Sequence, residues 1–402
     1  MTSERHLPDW LEGWMKLTEN TEPPDSYRLW TGISVIASTL QRKCYVPWGS
    51  SLIFYPNLYI VLVGPAGKTR KGTAMSPGLD ILQDLGKAKI AAQATSLQAL
   101  IRRLKETNFQ NQDEETGAPQ FHSSMTIFSK EFTVFLGFHN RELMSSLCDW
   151  YDCEKSWKYE TIARKTEEIV GVWVNLFAAT TPALIQSSLP LDAIGGGLTS
   201  RIIYIYEEKM GKMVVLPTET EAERELRKSM LNDLDKIYKM SGSFKYTEDF
   251  MSAWSDWRIK DRDCPPFHDE RFGGYMSRRP THVMKLSMVM SASDGTRAGQ
   301  MVLIKDDLDR AVAVLEQAEE KMQNVFRGVG KSDIAELVHR VMVYVKMSTI
   351  KEIPVFQLAR HFQSDMDKFT MERVFHTLES MNMIRVVHKP QADDYVKVLD
   401  SG

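Results

Sequence analysis

The fold is decided by residues 57–75, which read NLYIVLVGPAGKTRKGTAM. The stretch begins with an uninterrupted apolar run at 58–63 that is rich in β-branched residues. Such a run is typical of a strand buried on both faces, as in a parallel sheet. A turn with glycine, proline and lysine follows, and then a segment compatible with a helix. A strand, a glycine-bearing turn with lysine and hydroxyl residues, and a helix form the layout of a phosphate-binding loop.

The spacing within this loop leaves two assignments for the phosphate lysine. In the usual motif, G-x-x-x-x-G-K-[ST], a hydroxyl residue directly follows the lysine. Counted from the first glycine, the lysine position is taken by Arg70. We favour Lys71 with Thr73 as the magnesium hydroxyl; Lys68 with Thr69 is the alternative pair, and an ordinary turn with surface lysines is the structural alternative. The predicted nucleotide-binding residues are Gly64, Pro65, Ala66, Gly67, Lys68, Thr69, Arg70, Lys71, Gly72 and Thr73.

The composition of the 402-residue chain is that of an ordinary globular protein, with 43% apolar and 26% charged residues. The net charge of −3 carries no global basic signature, so any nucleic-acid surface must be a local patch. The four cysteines form no CxxC pair, which is typical of free thiols in a reducing compartment. No apolar run approaches the length of a membrane span and the first residues, MTSERHLPDW, contain no signal-peptide h-region, so we expect a cytoplasmic protein without a membrane partner.

The pattern along the chain predicts an α/β fold. The predicted core is a P-loop NTPase, a parallel sheet between helices, joined by N-terminal helices, a helical lid and a C-terminal winged helix. The winged helix follows from three helical patterns and a β-hairpin pattern within 332–400, after a hinge at 328–331. The predicted domains are an N-terminal helical region at 1–50, the ATPase core at 51–210, the lid at 211–330 and the winged helix at 331–402.

Further strands are predicted at 125–128, 172–179 and Ile202–Tyr206, with a weak one at 89–94. Residues 108–120 are polar, with glycine and proline, and predict a loop.

An acidic residue, Glu131, stands just beyond the strand predicted at 125–128. P-loop ATPases keep their magnesium-side and water-activating carboxylates at such a strand end, so Glu131 is a candidate for positioning water and for holding the metal. Lys130 occupies the preceding position, where an aspartate is usual. An exposed acid at a strand end is the alternative interpretation.

Two later strands contribute further candidates. The strand predicted at 172–179 contains Asn175 and is followed by Thr180 and Thr181. Asn175 is a candidate sensor of the γ-phosphate, and Thr180 or Thr181 is better placed for that role. Arg201 follows a run of three glycines and directly precedes Ile202, which suits an arginine finger that reaches a neighbouring subunit's nucleotide. Strand capping and a surface salt bridge are the structural alternatives.

Two adjacent arginines, Arg278 and Arg279, are interpreted as preceding a helix of the lid. This position makes them candidates for a second phosphate-sensing arginine. A purely structural helical bundle is the alternative for this region.

Basic residues mixed with aromatic ones occur at 155–168, KSWKYETIARKTEE. Cations suit phosphates and rings suit bases, so the segment is a candidate for gripping single-stranded nucleic acid, with a solvated charged hairpin as the alternative. The winged helix carries basic residues on its third helix and wing; such modules read the major groove or dock on proteins. The predicted DNA-binding residues are Lys155, Trp157, Lys158, Arg164, Lys165, Lys368, Arg373 and Lys389.

With these residues laid out, the chain resembles the helicase-like P-loop ATPases of phages, plasmids and other mobile elements, whose ATPase is often fused to or encoded beside a primase. The resemblance covers roughly residues 50–330 and rests on NLYIVLVGPAGKTRKGTAM, MTIFSKEF, VNLFAATTP and GGGLTSRIIYIY. It implies a RecA-like or AAA+-like sheet with the added-strand order, a ring oligomer, typically a hexamer, and ATP-driven translocation on single-stranded DNA.

Carried over residue by residue, the resemblance makes Lys71 the phosphate lysine, Glu131 the catalytic carboxylate, Thr180 or Asn175 the sensor and Arg201 the finger. The leading hypothesis is therefore an ATP-dependent, ring-forming DNA helicase or translocase in the replication of a mobile element. Its expected cofactors are ATP and Mg²⁺, and its expected partners are single-stranded DNA, further copies of itself and a primase or replication initiator. The alternatives are a nucleotide-regulated initiator or loader that binds origin DNA without unwinding it, and an inactive structural subunit.

Overall fold

The computed structural model describes residues 5–91, 96–112, 117, 119–137, 140–161, 164–188, 195–326, 334–348, 350–363, 365–389 and 392–399. The chain forms two compact units, Met1–Arg327 and Gly328–Gly402. The segments that the sequence separates at 1–50 and 51–210 therefore belong to one unit, together with nearly all of 211–330.

The first unit alternates strands and helices along most of its length. Its elements, in chain order, are α1 (Trp10–Leu17), α2 (Asp25–Leu40), β1 (Cys44–Trp48), β2 (Leu52–Phe54), β3 (Tyr59–Val63), α3 (Lys71–Leu85), α4 (Leu97–Glu106), β4 (Asn108–Gln112), β5 (Pro119–Ser129), α5 (Phe132–Leu136), α6 (Arg141–Asp152), β6 (Ser156–Thr161), β7 (Arg164–Val170), β8 (Val172–Thr180), α7 (Pro182–Ser188), β9 (Ile202–Tyr206), α8 (Glu221–Lys239), β10 (Gly242–Ser243), β11 (Lys245–Tyr246), α9 (Glu248–Asp263), α10 (Gly273–Ser293), β12 (Val302–Leu303) and α11 (Lys305–Met322).

The main sheet has the strand order β4-β5-β8-β3-β9 within the described residues. Strands β5, β8, β3 and β9 are parallel, and β4 pairs antiparallel with β5 at the edge. One strand, β8, thus lies between β3 and β5. In the register, Val63 stands opposite both Thr180 and Tyr206. The last residues of these strands therefore meet along one side of the sheet, here called the carboxyl edge; the opposite side, where the parallel strands begin, is the amino edge.

Helices cover both faces of this sheet. Every residue of β3 and β8 is buried, as expected for strands in a parallel sheet that is sandwiched between helices. On one face the hydroxyl of Tyr59 donates to the Leu147 carbonyl of α6 at 2.8 Å. On the other face the amide of Asn175 donates to the hydroxyl of Ser34 in α2 at 3.1 Å. The first unit is therefore a mixed α/β structure with parallel strands between helices.

Two segments differ from the sequence prediction. Residues 44–48 and 52–54, predicted within or beside a helical region, form the hairpin of β1 and β2, and β1 also pairs with β10. Residues 108–120, predicted as a loop, contain β4 and the beginning of β5. Because β4 is an edge strand, it can be polar and still satisfy its backbone through one neighbour, so the apolar pattern that marks a buried strand is missing. Of the strand predicted at 89–94, the described residues show an isolated bridge from Ile90 to Thr126.

The second unit consists of helices and a small antiparallel sheet. Its elements are α12 (Ala335–Met347), β13 (Glu352–Pro354), α13 (Val355–His361), α14 (Lys368–Ser380), β14 (Ile384–Lys389) and β15 (Ala392–Val398). The sheet order is β13-β15-β14. Val341, Leu358, Leu378 and Val396 are among the buried side chains that form a core of its own for this unit. The hinge predicted at 328–331 lies outside the described residues.

Candidate phosphate-binding site

The turn after β3 begins at a glycine that has no room for a side chain. A Cβ atom on Gly64 would lie 2.5 Å from the Glu207 carbonyl oxygen and 2.7 Å from the hydroxyls of Thr69 and Tyr27. The Tyr27 hydroxyl in turn donates to the Val63 carbonyl at 2.7 Å. The start of the turn is therefore fixed against β9 and α2, and any larger residue at this position would displace it.

Inside this turn lies the amine of Lys71, the first residue of α3. Its Nζ atom donates to the carbonyl oxygens of Gly64 at 2.6 Å and Pro65 at 3.3 Å. Burial lowers the pKa of this amine, and the nearby Glu131 carboxylate partly offsets that shift. Lys68 is instead exposed on the outer part of the turn. The geometry thus favours Lys71 over Lys68 as the lysine that meets a bound phosphate.

The residue before Lys71 has a backbone conformation that glycine adopts most readily. Arg70 lies in the left-handed region, with φ 56° and ψ 35°, and caps α3 without a side-chain hydrogen bond. Its guanidinium points away to form an ion pair with Glu22 at 2.7 Å. The side chain of Arg70 thus leaves the first N–H groups of α3 uncapped, and such groups at a helix N-terminus bind anions.

Two predicted metal-side residues, Glu131 and Thr73, border the turn. Glu131 is exposed two residues after the end of β5, and its carboxylate is close enough to offset part of the lowering of the Lys71 pKa. Thr73 is exposed in the first turn of α3. Lys130, which stands where an aspartate is usual, does not supply a metal ligand. Its amine donates to the Ser76 hydroxyl of α3 at 3.1 Å. Across the part of the chain that the structure describes, no group of three or more His, Cys, Asp or Glu side chains is placed to hold a metal. A Mg²⁺ ion bound at the turn would therefore take most of its oxygen ligands from phosphate and water, as Mg²⁺ commonly does.

Thr180 lies at the carboxyl edge beside the turn. Its carbonyl accepts from Gly64 N–H at 3.3 Å. Its hydroxyl is buried, and among the described residues it finds no hydrogen-bond partner. A buried polar group without a partner is unusual and suits a position that a ligand or water completes.

Asn175, the other predicted sensor, does not belong to this site. Its side chain is wholly buried and accepts from Leu58 N–H at 2.8 Å while donating to Ser34 and Ser38. It lies five residues before the end of β8, which corresponds to about 16 Å along a strand. Asn175 ties α2 to the sheet and is corrected here to a structural residue.

Arg201 ends a 3₁₀ turn immediately before β9 and therefore lies at the amino edge. Its guanidinium binds the Asp152 carboxylate and donates to the Gly197 carbonyl at 2.9 Å. Burial is the largest single influence and lowers the pKa of Arg201, but the hydrogen bond to Asp152 and the attraction of nearby negative charges together outweigh burial, so that the pKa is raised. The length of β9, about 17 Å, separates it from the turn of its own chain. Arg201 can therefore act on a phosphate only in another copy.

The two arginines predicted to precede a helix lie inside α10, so that prediction is wrong. Arg279 is buried and bonds to Asp261 at 2.5 Å and to both carboxylate oxygens of Glu319 at 2.7 Å. Arg278 remains partly exposed and reaches Asp152 at 3.2 Å. Arg279 is a structural cation, whereas Arg278 binds the same carboxylate, that of Asp152, as Arg201 does.

Replacing Arg279 with methionine is expected to lower the free energy of unfolding by about 3–5 kcal/mol, because the buried Glu319 loses its bidentate cation and Asp261 keeps only Arg258. Chemical denaturation of the purified chain measures the effect. Arg278→Met is the matched control, with an expected change below about 1 kcal/mol, since its ion pair is partly exposed. Equal losses in the two variants would show that the buried ion pairs are not what stabilises α10.

The basic segment at 155–168 forms the antiparallel hairpin of β6 and β7. Lys155 and Lys158 are exposed, and Lys158 lies 3.9 Å from Glu168. Trp157 is buried, with its ring 5.5 Å from that of Trp150 and its N–H bonded to Asp149. The prediction that this ring stacks on a base is therefore corrected to a packing role. The side chains of Arg164 and Lys165 lie outside the described part of the chain.

The basic residues predicted in the second unit lie on α14 and β14. Lys368 and Arg373 are exposed on α14, where Lys368 lies 4.0 Å from Glu372. Phe369, beside them, is 74% exposed. The side chain of Lys389 lies outside the described part of the chain. The exposed face of α14 is thus mixed, with acidic and aromatic residues among the cations.

A cavity of about 260 Å³ lies beside α3, among Thr21, Pro77, Ile81 and Thr218. Pro77 and Ile81 stand six and ten residues after Lys71, which corresponds to about 9–15 Å along the helix axis. None of residues 64–73 lines this cavity, so the cavity is not part of the turn.

Several residues that shape the site carry no signal in the sequence. Glu207, just after β9, donates its backbone N–H to the Val63 carbonyl, and its carboxylate binds Ser26 at 2.8 Å and Lys321 at 2.7 Å. Tyr27 holds the start of the turn as described above. Neither residue lies in a recognisable motif, because their partners are far away along the chain. Only their positions at helix and strand ends set them apart.

In comparisons with known proteins, no family model and no curated protein matches this chain. The helices of the described residues include none that is long and apolar enough to cross a membrane.

Proposed function

We propose that this protein is an ATP-dependent, ring-forming DNA helicase or translocase that serves replication of a mobile element. The observation that carries the proposal is the Lys71 amine, enclosed by the Gly64 and Pro65 carbonyls at the open N-terminus of α3. The insertion of β8 between β3 and β5 supports it, since this is the added-strand order implied by the sequence resemblance. The core would then be a P-loop ATPase with the helices after β9 as its lid.

The residues around the turn have distinct roles in this proposal. Lys71 leaves the two carbonyls and donates to phosphate oxygens, while the first N–H groups of α3 bind the same phosphates. Glu131 orients the attacking water and accepts its proton. The Thr180 hydroxyl, which has no hydrogen-bond partner among the described residues, donates to the bound nucleotide. Thr73 and Glu131 would contribute to holding Mg²⁺, whose chemistry is to neutralise the charge that develops on the phosphates.

A further copy supplies what the single chain lacks. Arg201 and Arg278 lie at the amino edge, too far from the turn of their own chain, so their guanidinium groups would serve the nucleotide of a neighbour. A homohexameric ring is the assembly that we propose. Lys155 and Lys158 are the described cations of the hairpin that would contact single-stranded DNA.

ATP turnover with and without single-stranded DNA tests this function. We expect Mg²⁺-dependent hydrolysis that rises when single-stranded DNA is added, together with displacement of one strand from a forked duplex. A duplex of the same sequence without a single-stranded tail is the control substrate. Absence of hydrolysis under every condition would refute the ATPase, and hydrolysis without strand displacement would refute the helicase.

A second candidate is a nucleotide-regulated initiator or loader that recognises origin DNA without unwinding it, partnered by a primase or helicase. The exposed Lys368 and Arg373 on α14 favour it, because the helix–strand–helix–helix–hairpin order of the second unit would suit a winged helix that reads duplex DNA. The burial of Trp157 also removes one argument for a DNA-gripping hairpin. Sequence-specific duplex binding without strand displacement would support this candidate over the first.

A further inference from the structure

Two adjacent cations of the turn, Arg70 and Lys71, are both engaged within the chain. The Lys71 amine donates to two carbonyls inside the turn. The Arg70 guanidinium lies outside it, with its Nε atom 2.7 Å from the Glu22 carboxylate. Counted from Gly64, however, Arg70 occupies the position that the phosphate lysine takes in the usual motif. A carboxylate thus binds the cation that the motif would direct to a phosphate.

The backbone of Arg70 indicates that its side chain has a use. A φ of 56° lies in the left-handed region, which is costly for a residue with a Cβ atom and free of strain for glycine. The ion pair with Glu22 does not account for an arginine at this position, because the Arg70 side chain is 44% exposed and such pairs stabilise a fold little. Backbone strain of this kind is concentrated at binding sites.

The position of Glu22 is set by parts of the chain other than the turn. Its backbone carbonyl accepts from Gly211 N–H at 2.9 Å, which joins the α1–α2 connection to the β9–α8 connection. A Cβ atom on Gly211 would lie 2.9 Å from the Pro23 carbonyl oxygen, so the two connections are in close contact. The Glu22 carboxylate therefore stays beside the turn when Arg70 leaves it.

We propose that Arg70 exchanges Glu22 for phosphate oxygens when a polyphosphate binds the turn, and that Glu22 thereby lowers the affinity of the empty turn for phosphate. The exchange needs only rotation about the side-chain bonds of Arg70, whose Cα atom is adjacent to that of Lys71. A polyphosphate carries several negative charges against the single one of Glu22, and a guanidinium binds two phosphate oxygens at once. The inference rests on the proposed function in taking a polyphosphate as the ligand, and it requires neither hydrolysis nor assembly.

The test measures binding of inorganic triphosphate with Mg²⁺ to the full chain by isothermal titration calorimetry. Glu22→Gln frees Arg70 and should tighten binding about three- to fivefold, the equivalent of a partly exposed ion pair. Arg70→Met removes a charge-assisted contact with phosphate and should weaken binding about 10-fold. Glu19→Gln, an exposed acid in the same α1–α2 connection, is the control for the lost negative charge and should bind like the wild type. Thermal unfolding verifies that each variant is folded.

The double variant, Glu22→Gln with Arg70→Met, separates the exchange from simple repulsion between Glu22 and phosphate. If Glu22 acts by holding Arg70, the double variant binds as weakly as Arg70→Met alone. Equal tightening by Glu22→Gln with and without Arg70 would overturn the proposal. Unchanged affinity in either single variant, or a wild type that binds no triphosphate, would overturn it as well.

Failure of the exchange and failure of the proposed function give different results. The expected order of triphosphate affinities without any ATP hydrolysis would refute the proposed function alone. ATP hydrolysis by a protein whose triphosphate affinity does not depend on Glu22 would refute the exchange alone.

Discussion

Lys71→Ala is expected to weaken ATP binding by at least about 100-fold. The amine is the one cation of the described turn that lies inside it, bonded to Gly64 and Pro65. Charge-assisted hydrogen bonds to phosphate contribute about 1.5–3 kcal/mol each, and two of them correspond to a loss of that size. Isothermal titration calorimetry with ATP and Mg²⁺ measures the change.

Lys68→Ala is the matched control, because Lys68 is exposed three residues earlier in the same turn. We expect its ATP affinity to stay within about threefold of the wild type, the small effect of an exposed charge. The reverse result, with binding lost in Lys68→Ala and retained in Lys71→Ala, would reassign the phosphate lysine and with it Thr69 as the hydroxyl. Loss in neither variant would mean that the turn does not bind the triphosphate.

Glu131→Gln is expected to lower the turnover number for ATP by about 10²–10⁴-fold while leaving ATP affinity nearly unchanged. Glutamine keeps the shape of the side chain but cannot accept a proton, so the loss is that of a general base. Steady-state hydrolysis together with calorimetric binding separates the two effects. Glu131 stands two residues after the end of β5, within electrostatic range of Lys71.

The control for this variant is Glu208→Gln, which removes one negative charge from an exposed residue near the end of β9. Its turnover should equal that of the wild type. A Glu131→Gln protein that hydrolyses ATP at the wild-type rate would remove Glu131 from the chemistry. Equal losses of turnover and affinity would instead assign it to ligand binding.

The buried strands could be predicted from the sequence because their apolar runs need no partner to be recognised. The runs at 58–63, 172–179 and 202–206 appear in the structure as β3, β8 and β9. Strands β1 and β4 could not be predicted in the same way. Their pairing partners, not their own residues, make them strands: β1 joins β10, nearly two hundred residues later. A window that is read locally does not contain that information.

The residues of the site show the same division. The pattern of glycines and lysines was enough to locate the turn, because its backbone geometry is built from neighbours in sequence. Asn175, Trp157 and Arg279 were assigned to ligands because of their side-chain chemistry, yet each is bonded inside the protein. Their partners, such as Ser34 for Asn175 and Glu319 for Arg279, are far away in the chain. Residue type predicts what a side chain can bind, whereas burial decides what it does bind.

The carbonyl contacts of the Lys71 amine bear on which anions the turn admits. An incoming ion must compete with two backbone oxygens that already hold the amine. A monovalent anion such as chloride forms one contact with the amine, which offsets little more than the carbonyl hydrogen bonds that it displaces. A chain of linked phosphates presents several charged oxygens at once. We therefore expect the turn to select by valence, remaining closed in ordinary salt and opening to polyanions.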